Sequence, residues 1–192
     1  MAVLVIGMIL FIATHSLRIF APAWRERQVA RIGEKPWKGL ISVLAAVTLA
    51  LLIWGFAQAR PEAVTLYESP LWLKHIAAAL VLIAFLFITA AYVPGNALKA
   101  RFGHPMVAGV KTWAFAHLLA NGRDVDLVLF GGFMVWSIVD YAAARRRDRR
   151  AGVTQAPATL RGTIIVIAAG IAAWALFAFL LHGWLIGVNP MS

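Results

Sequence analysis

The sequence predicts an all-α fold, a polytopic membrane helical bundle of about six transmembrane helices with both termini outside. Three observations support this prediction. Of the 192 residues, 62% are hydrophobic and the mean hydropathy is +0.81, whereas ordinary globular domains are about half apolar. The apolar residues are gathered into separate long segments, and the basic residues are concentrated in alternate loops between them.

Six apolar segments approach the length of about 20 residues that crosses the hydrocarbon core. The fourth segment is the shortest and most polar, and without it five spans would leave the two chain ends on opposite sides. The segments are residues 2–21, 39–58, 71–93, 104–121, 125–144 and 162–187.

The loop charges favour six spans. Fourteen basic residues fall on one side of the predicted membrane and three on the other, with Lys111 left inside a span. The positive-inside rule places the richer side in the cytoplasm, which puts both termini outside and requires the fourth segment to cross. The arginine-rich segment 145–161 is expected to be a solvated connector attracted to anionic lipid.

The partner predicted from these charges is the lipid bilayer. The net charge of +10 does not indicate nucleic acid, because the basic residues lie in short loops and not along one exposed face. There is no cysteine, which excludes disulfides and thiolate metal sites. No internal repeat, soluble domain or soluble-enzyme motif is visible, so we predict one transmembrane domain over residues 1–192 and assign no catalytic residue.

Histidine is the residue type that points to chemistry. Neutral imidazole is a good ligand for haem iron. A single membrane histidine more often bonds a neighbouring helix, but five of them without a competing cysteine cluster favour a histidine-ligated cofactor. All five lie in or at the ends of the predicted spans: His15, His75, His104, His117 and His182.

Helix geometry separates the two histidines of the fourth segment. The 13 positions from His104 to His117 amount to about 220° of rotation, so these two cannot both bind one metal from a straight helix. His104 shares its face with Lys111, and His117 shares its face with Trp113 and Asn121. By depth in the membrane, His15 groups with His104 and not with His117.

Three polar residues are candidates for contacts with a cofactor. Arg18 lies one turn beyond the first histidine and could neutralise a haem propionate, or could snorkel to the headgroups. Lys111 could meet a cofactor carboxylate, pair with Asp140 or snorkel, although Asp140 is expected to meet the nearby arginines instead. Asn121 lies near His117, and its simplest role is the turn to the fifth span.

The sequence resembles the NnrU family over nearly the whole chain, and three segments carry the resemblance. These are HSLRIFAP at 15–22, GHPMVAGVKTWAFAHLLANG at 103–122 and LVLFGGFMVW at 127–136. The resemblance implies a multi-pass protein of the bacterial inner membrane. It also implies a role in denitrification, in nitrite and nitric oxide metabolism, with denitrification enzymes as possible partners.

The same superfamily includes the plant 15-cis-zeta-carotene isomerase, which uses haem b. Its pattern of a first-span histidine followed by HP and AH thirteen residues apart is similar to His15, His104-Pro105 and His117. The resemblance implies haem b with His15 and His117 as ligands. The predicted depths leave about 15 Å between them along the membrane normal, against about 4 Å for two axial nitrogens, so His15 with His104 stays the alternative pair.

Several functions remain open. The first is a haem-binding NnrU protein that supports nitric oxide or nitrite respiration. The second is a haem-dependent cis–trans isomerase with a polyene tunnel lined by residues such as Phe85, Phe115 and Phe177, and the third is a cofactor-free membrane scaffold. Methyl transfer is a weak further option, because HPMVAG resembles the box of isoprenylcysteine carboxyl methyltransferases but has Gly103 and Val107 where that box has arginine and tyrosine. The sequence indicates no oligomeric state.

Overall fold

The computed structural model describes residues 1–190, and these residues form an all-α fold, as predicted. The one extended pairing among them is an antiparallel bridge between Thr65 and Arg123. A 3₁₀ turn at Arg60–Glu62 extends α4, and a π-helical segment at Phe177–Leu181 joins α9 to α10. The helices are α1 (Ala2–His15), α2 (Leu17–Phe20), α3 (Pro22–Ile32), α4 (Glu34–Ala59), α5 (Leu71–Tyr92), α6 (Ala97–Phe102), α7 (Pro105–Ala120), α8 (Asp124–Ala151), α9 (Leu160–Leu176) and α10 (His182–Ile186).

Four helices of the described chain are long and apolar enough to cross a membrane, by length and composition. They are Glu34–Glu62, Leu71–Tyr92, Asp124–Ala151 and Leu160–Ile186. The other two predicted segments are also helical but shorter, since α1 has 14 residues and α7 has 16. Large apolar side chains lie exposed along the long helices, such as Val43 and Ile53 of α4, which fits a lipid environment.

The first predicted span differs from the structure because it is interrupted. α1 ends at His15, Ser16 leaves the helical region with φ −96° and ψ 1°, and α2 is a single turn. Ala21 is non-helical, because the residue before a proline is pushed out of the α region by the proline ring. Pro22 then opens α3, which lies in a segment predicted as a loop.

Backbone proximity groups the chain into two units, and each is described by itself. The first unit contains Met1–Tyr67 and Arg123–Gly132. The second contains Glu68–Gly122 and the chain from Phe133 onward.

In the first unit, two glycines let α1 and α4 approach backbone to backbone. A β-carbon on Gly55 would lie 2.6 Å from the backbone nitrogen of Leu4, and one on Gly7 would lie 2.9 Å from the α-carbon of Leu52. Leu4 and Leu52 are both buried. Small residues at a helix contact are what permits such close packing where apolar lipid gives no driving force for association.

The loop before α5 is held onto the start of α8, also within the first unit. The backbone N–H of Asp124 donates to the carbonyl of Val64, and the N–H of Val64 donates to Oδ1 of Asp124, both at 3.0 Å. Arg123 donates from Nε and Nη2 to the two carboxylate oxygens of Asp126, at 2.7 and 3.0 Å. Asp126 is 1% exposed, and its carboxylate raises the pKa of Arg123 above the usual value, so the guanidinium is held charged.

In the second unit, α5 packs against both α7 and α9. A β-carbon on Gly109 of α7 would lie 2.9 Å from Cγ1 of Ile88, and one on Gly170 of α9 would lie 2.7 Å from Cδ2 of Leu86. Both contacts fall on α5, whose buried side is lined by small residues such as Ala84.

The connectors at one end of the second unit are hydrogen-bonded to each other. The buried Asn96 side chain caps α6 by accepting from the N–H of Lys99 in its first turn, and Thr159 donates from its backbone N–H and its Oγ1 to the carbonyl of Gly95. The segment predicted as a connector at 145–161 is helical as far as Ala151. Residues 152–159 alone join α8 to α9, and their last residue is tied to the α5–α6 loop.

Candidate functional site

His15 is the last residue of α1, in the first unit. Its Nδ1 donates to the carbonyl of Phe11 at 2.8 Å, and its ring stacks on the Phe11 ring with centroids 4.1 Å apart. A carbonyl can only accept, so Nδ1 carries the proton and the lone pair of the neutral imidazole is on Nε2. Helix backbone and a stacked ring therefore fix both the tautomer and the orientation of His15.

His117 is held in the same way in the last turn of α7, in the second unit. Its Nδ1 donates to the carbonyl of Trp113 at 2.9 Å, and the two rings have centroids 4.9 Å apart. Trp113 is in turn fixed edge-to-face against Phe133, at 5.5 Å. The lone pair of His117 is thus also on Nε2.

This shared arrangement fits the donor chemistry that haem requires. A metal-binding histidine usually donates its second ring N–H to a carbonyl or carboxylate, which orients the ring and raises the basicity of the ligating nitrogen. Within residues 1–190, no group of three or more metal-binding side chains could hold an ion. Haem differs from such sites, since the porphyrin supplies four of the iron's ligands and histidine only the axial ones.

Arg18 lies in α2, beyond the break at Ser16, and its side chain is exposed. The α1–α2 junction carries an apolar groove of about 420 Å³ in which the only polar lining residue is Ser16. The groove follows one helical face, with residues three and four positions apart. Its lining residues are Ile9, Ile12, Ala13, Ser16, Leu17, Phe20 and Ala21.

His104 makes a different contact from the other two candidate ligands. It precedes Pro105 at the start of α7, and its Nε2 lies 2.9 Å from Oδ2 of Asp148 in α8. A carboxylate oxygen accepts, so Nε2 of His104 carries the proton in this pair and presents no lone pair there. The alternative ligand pair of His15 and His104 would therefore have to use Nδ1 of His104.

Lys111 and His104 both contact the ring of Tyr141. The Lys111 Nζ lies 5.1 Å from the centre of the Tyr141 ring, on which a cation is attracted to the π face. The His104 ring meets the same ring edge-on at 6.5 Å, and the Tyr141 hydroxyl donates to the carbonyl of Phe102 at 2.9 Å. Asp140 lies 4.0 Å from Arg147, as expected, and within the described chain Lys111 makes no ion pair.

Asn121 caps the C-terminus of α7. Its Nδ2 and its backbone N–H both donate to the carbonyl of His117, each at 2.9 Å. This contact confirms the predicted turn, because the chain leaves the helix at Asn121 and α8 begins at Asp124. Asn121 therefore touches the backbone of a candidate ligand and is positioned by it.

The six predicted site residues divide between the two units. His15 and Arg18 lie in the first unit, and the other four lie in the second: His104, Lys111, His117 and Asn121. Within the second unit, the structure brings Asn121 to His117 and brings Lys111 and His104 to a shared tyrosine.

Sequence reasoning missed Tyr141 and Asp148 as members of this region. Asp148 is the one acidic residue inside the run RRRDRR at 145–150, a signal that was available. Tyr141 offered no comparable signal, because its contacts with Phe102 and His104 join positions far apart in the chain.

A family model described as NnrU protein matches residues 3–190. No curated protein matches the chain, and no solved structure matches it.

Proposed function

The chain belongs to the NnrU family, and we propose that it is a haem b-binding membrane protein that supports nitrite and nitric oxide metabolism in denitrification. The observation that carries the proposal is the matched state of His15 and His117. Each donates Nδ1–H to the carbonyl four residues earlier, at 2.8 and 2.9 Å. Both imidazoles are thereby oriented with the lone pair on Nε2, as an axial ligand requires.

Each proposed ligand is supported by its own helix. The Phe11 ring lies against His15 and the Trp113 ring against His117, so each imidazole has an aromatic neighbour from its own helix. Asn121 holds the carbonyl of His117. Arg18 and Lys111 are the cations proposed to meet the carboxylates of the bound group, as guanidinium and ammonium groups do.

Bound ferrous haem would supply a site with high affinity for nitric oxide, which suits sensing, buffering or assembly in this pathway. The protein's own part is to hold the two imidazoles in one tautomer and to neutralise carboxylates. The placement proposed for the chain is the bacterial inner membrane, with denitrification enzymes as possible partners.

The proposed topology is a single domain of six spans with both termini outside. Four long apolar helices support four of the spans. The remaining two spans, the first and the fourth in chain order, are the α1–α2 segment and α7. The ends of α7 coincide with the predicted segment 104–121 to within one residue. The basic residues near both ends of α6 and at the end of α8 support a cytoplasmic location for these loops.

A haem-dependent isomerase is less well supported. The rings of Phe85 and Phe177, expected to line a polyene tunnel, lie 5.8 Å apart and pack against each other. That contact joins α5 to the π-helical segment that follows α9. The third candidate expected from the sequence, Phe115, is exposed.

A cofactor-free scaffold has one observation in its favour. His182 also donates Nδ1–H to a backbone carbonyl, that of Val188, at 2.7 Å. Bonds of this kind satisfy a membrane histidine without any ligand, so the haem proposal needs a direct spectroscopic test.

The test is the visible spectrum of the full chain purified in detergent from haem-replete cells. We expect a Soret band that shifts when the reduced protein is exposed to nitric oxide, and no isomerisation of an added cis-polyene. Polyene isomerisation would favour the enzyme, and colourless protein would favour the scaffold.

A further inference from the structure

The α6–α7 loop is overlaid by two nitrogen donors from elsewhere in the second unit. Gly103 has φ +73°, and a β-carbon there would lie 2.9 Å from Nη1 of Arg145, 3.5 Å from Nε2 of Gln155 and 3.6 Å from Oδ2 of Asp148. Arg145 comes from α8 and Gln155 from the α8–α9 connector. Glycine is favoured here because it tolerates positive φ, and a side chain at this position would also push the end of the flexible Arg145 side chain aside.

Both donors lack acceptors. Across residues 1–190, neither Arg145 nor Gln155 makes a hydrogen bond or an ion pair, although both are partly buried. A guanidinium and a carboxamide beside the same glycine present several N–H groups, and the carboxylate oxygen next to them, Oδ2 of Asp148, is already bonded to His104. The group that complements them is an acceptor with more than one oxygen.

The charges around the loop favour an anion over a neutral acceptor. Two carboxylates lie nearby, and both already have partners: Asp148 is turned onto His104 at 2.9 Å, and Asp140 lies 4.0 Å from Arg147. The other charged side chains of α6, the end of α8 and the start of α9 are basic: Lys99, Arg101, Arg146, Arg149, Arg150 and Arg161. The local field therefore attracts negative charge.

We propose that Arg145 and Gln155 bind a phosphate-class oxyanion over Gly103. The planar guanidinium fork matches two oxygens of a tetrahedral phosphate, and the carboxamide N–H donates to a third. The phosphate could belong to the headgroup of an anionic lipid or be free in solution. The site uses neither His15 nor His117, so it is independent of haem binding.

The test compares thermal unfolding of the full chain in detergent with two probes, inorganic phosphate and short-chain phosphatidylglycerol. Chloride keeps the ionic strength constant, because diffuse attraction is screened by salt. The variants are Arg145→Gln and Gln155→Leu. The matched control is Arg149→Gln, which removes the same charge from an exposed position of the same helix.

We expect at least one probe to raise the unfolding midpoint in a saturable way. Arg145→Gln should weaken the apparent affinity by about tenfold, as the loss of a charge-assisted hydrogen bond predicts. Gln155→Leu should weaken it to a smaller extent, and Arg149→Gln should leave it within about twofold.

The two probes separate the sources of the phosphate. A response to inorganic phosphate supports a free oxyanion, and a response to phosphatidylglycerol alone supports a lipid headgroup. If neither probe binds, or if Arg149→Gln weakens binding as much as Arg145→Gln does, there is no built site over Gly103 and the proposal is wrong.

Discussion

Nε2 of His104, at the start of α7, lies 2.9 Å from Oδ2 of Asp148 near the end of α8. The two residues are 44 positions apart in the chain, and Tyr141 adds a second link from α8 to the carbonyl of Phe102. The loop that begins α7 is therefore held by α8 at two points. This arrangement also explains why His104 is the weaker candidate for an iron ligand.

The His104–Asp148 contact is expected to stabilise the fold modestly. Both side chains are partly buried, with 31% and 17% of their surface exposed, so the coupling in a double-mutant cycle of His104→Ala and Asp148→Ala should be on the order of 1 kcal/mol. The measurement is chemical denaturation in detergent. Additive effects of the two substitutions would contradict the contact.

Gly55 should tolerate no side chain. Its β-carbon would lie 2.6 Å from the Leu4 nitrogen, a backbone atom that cannot move aside cheaply, so Gly55→Ala should lower the free energy of unfolding by about 2 kcal/mol. Gly39→Ala is the matched control in the same helix, since nothing lies within 4 Å of that position. The control should be neutral or slightly stabilising, and equal losses in both variants would argue against the α1–α4 contact.

The Arg123–Asp126 pair should contribute strongly to stability. Asp126→Asn leaves a guanidinium that is 30% exposed and should cost about 1–2 kcal/mol, whereas Arg123→Gln leaves the buried Asp126 carboxylate without its cation and should cost about 3 kcal/mol. The double variant Arg123→Gln/Asp126→Asn should cost less than the sum of the two single changes, because it removes both charges and leaves neither one isolated. Denaturation midpoints of the three variants decide this, and a fully additive double variant would refute the pairing.

Tyr67 should make the protein less stable at alkaline pH. Partial burial of Tyr67, which is still 44% exposed, and a smaller effect of the Asp126 carboxylate raise the pKa of Tyr67 above its ordinary value of 10.0. The folded state then holds a proton that the unfolded state releases first, so the stabilisation is complete below about pH 10 and is lost as the pH rises through the folded-state pKa.

The measurement is thermal unfolding between about pH 9 and 11, compared for the wild type and Tyr67→Phe. The decline in stability should be shallower in Tyr67→Phe, and Tyr92→Phe, at an exposed tyrosine of α5, should leave the decline unchanged. Identical slopes in the wild type and Tyr67→Phe would be inconsistent with the raised pKa.

Sequence reasoning located α7 and its faces well. Proline favours the first helical position and asparagine favours a helix end, so the predicted segment 104–121 agrees closely with the helix. The seven-residue spacing predicted His104 and Lys111 on one face, and both rest on Tyr141. Tyr141 could not be predicted as their partner, because local periodicity does not indicate which residue of another helix makes the contact.

The misjudged regions have specific physical causes. The run RRRDRR was assigned to a connector on its charge, but arginine is a good helix former, and α8 continues through it to Ala151. The first apolar segment was predicted as one span because most of residues 2–21 are apolar, apart from THS at 14–16 and Arg18. The break at Ser16 is a backbone feature that hydropathy does not report.

The most direct test of the central proposal is the haem content of ligand variants, measured as pyridine haemochrome per protein after purification from haem-replete cells. His75→Ala is the control, since His75 is an exposed histidine at the start of α5. We predict that His15→Ala and His117→Ala lose the haem and that His75→Ala keeps it. If instead His15→Ala and His104→Ala lose the haem and His117→Ala keeps it, the alternative ligand pair is favoured. A wild-type chain without haem, or full haem in both His15→Ala and His117→Ala, would contradict the proposal.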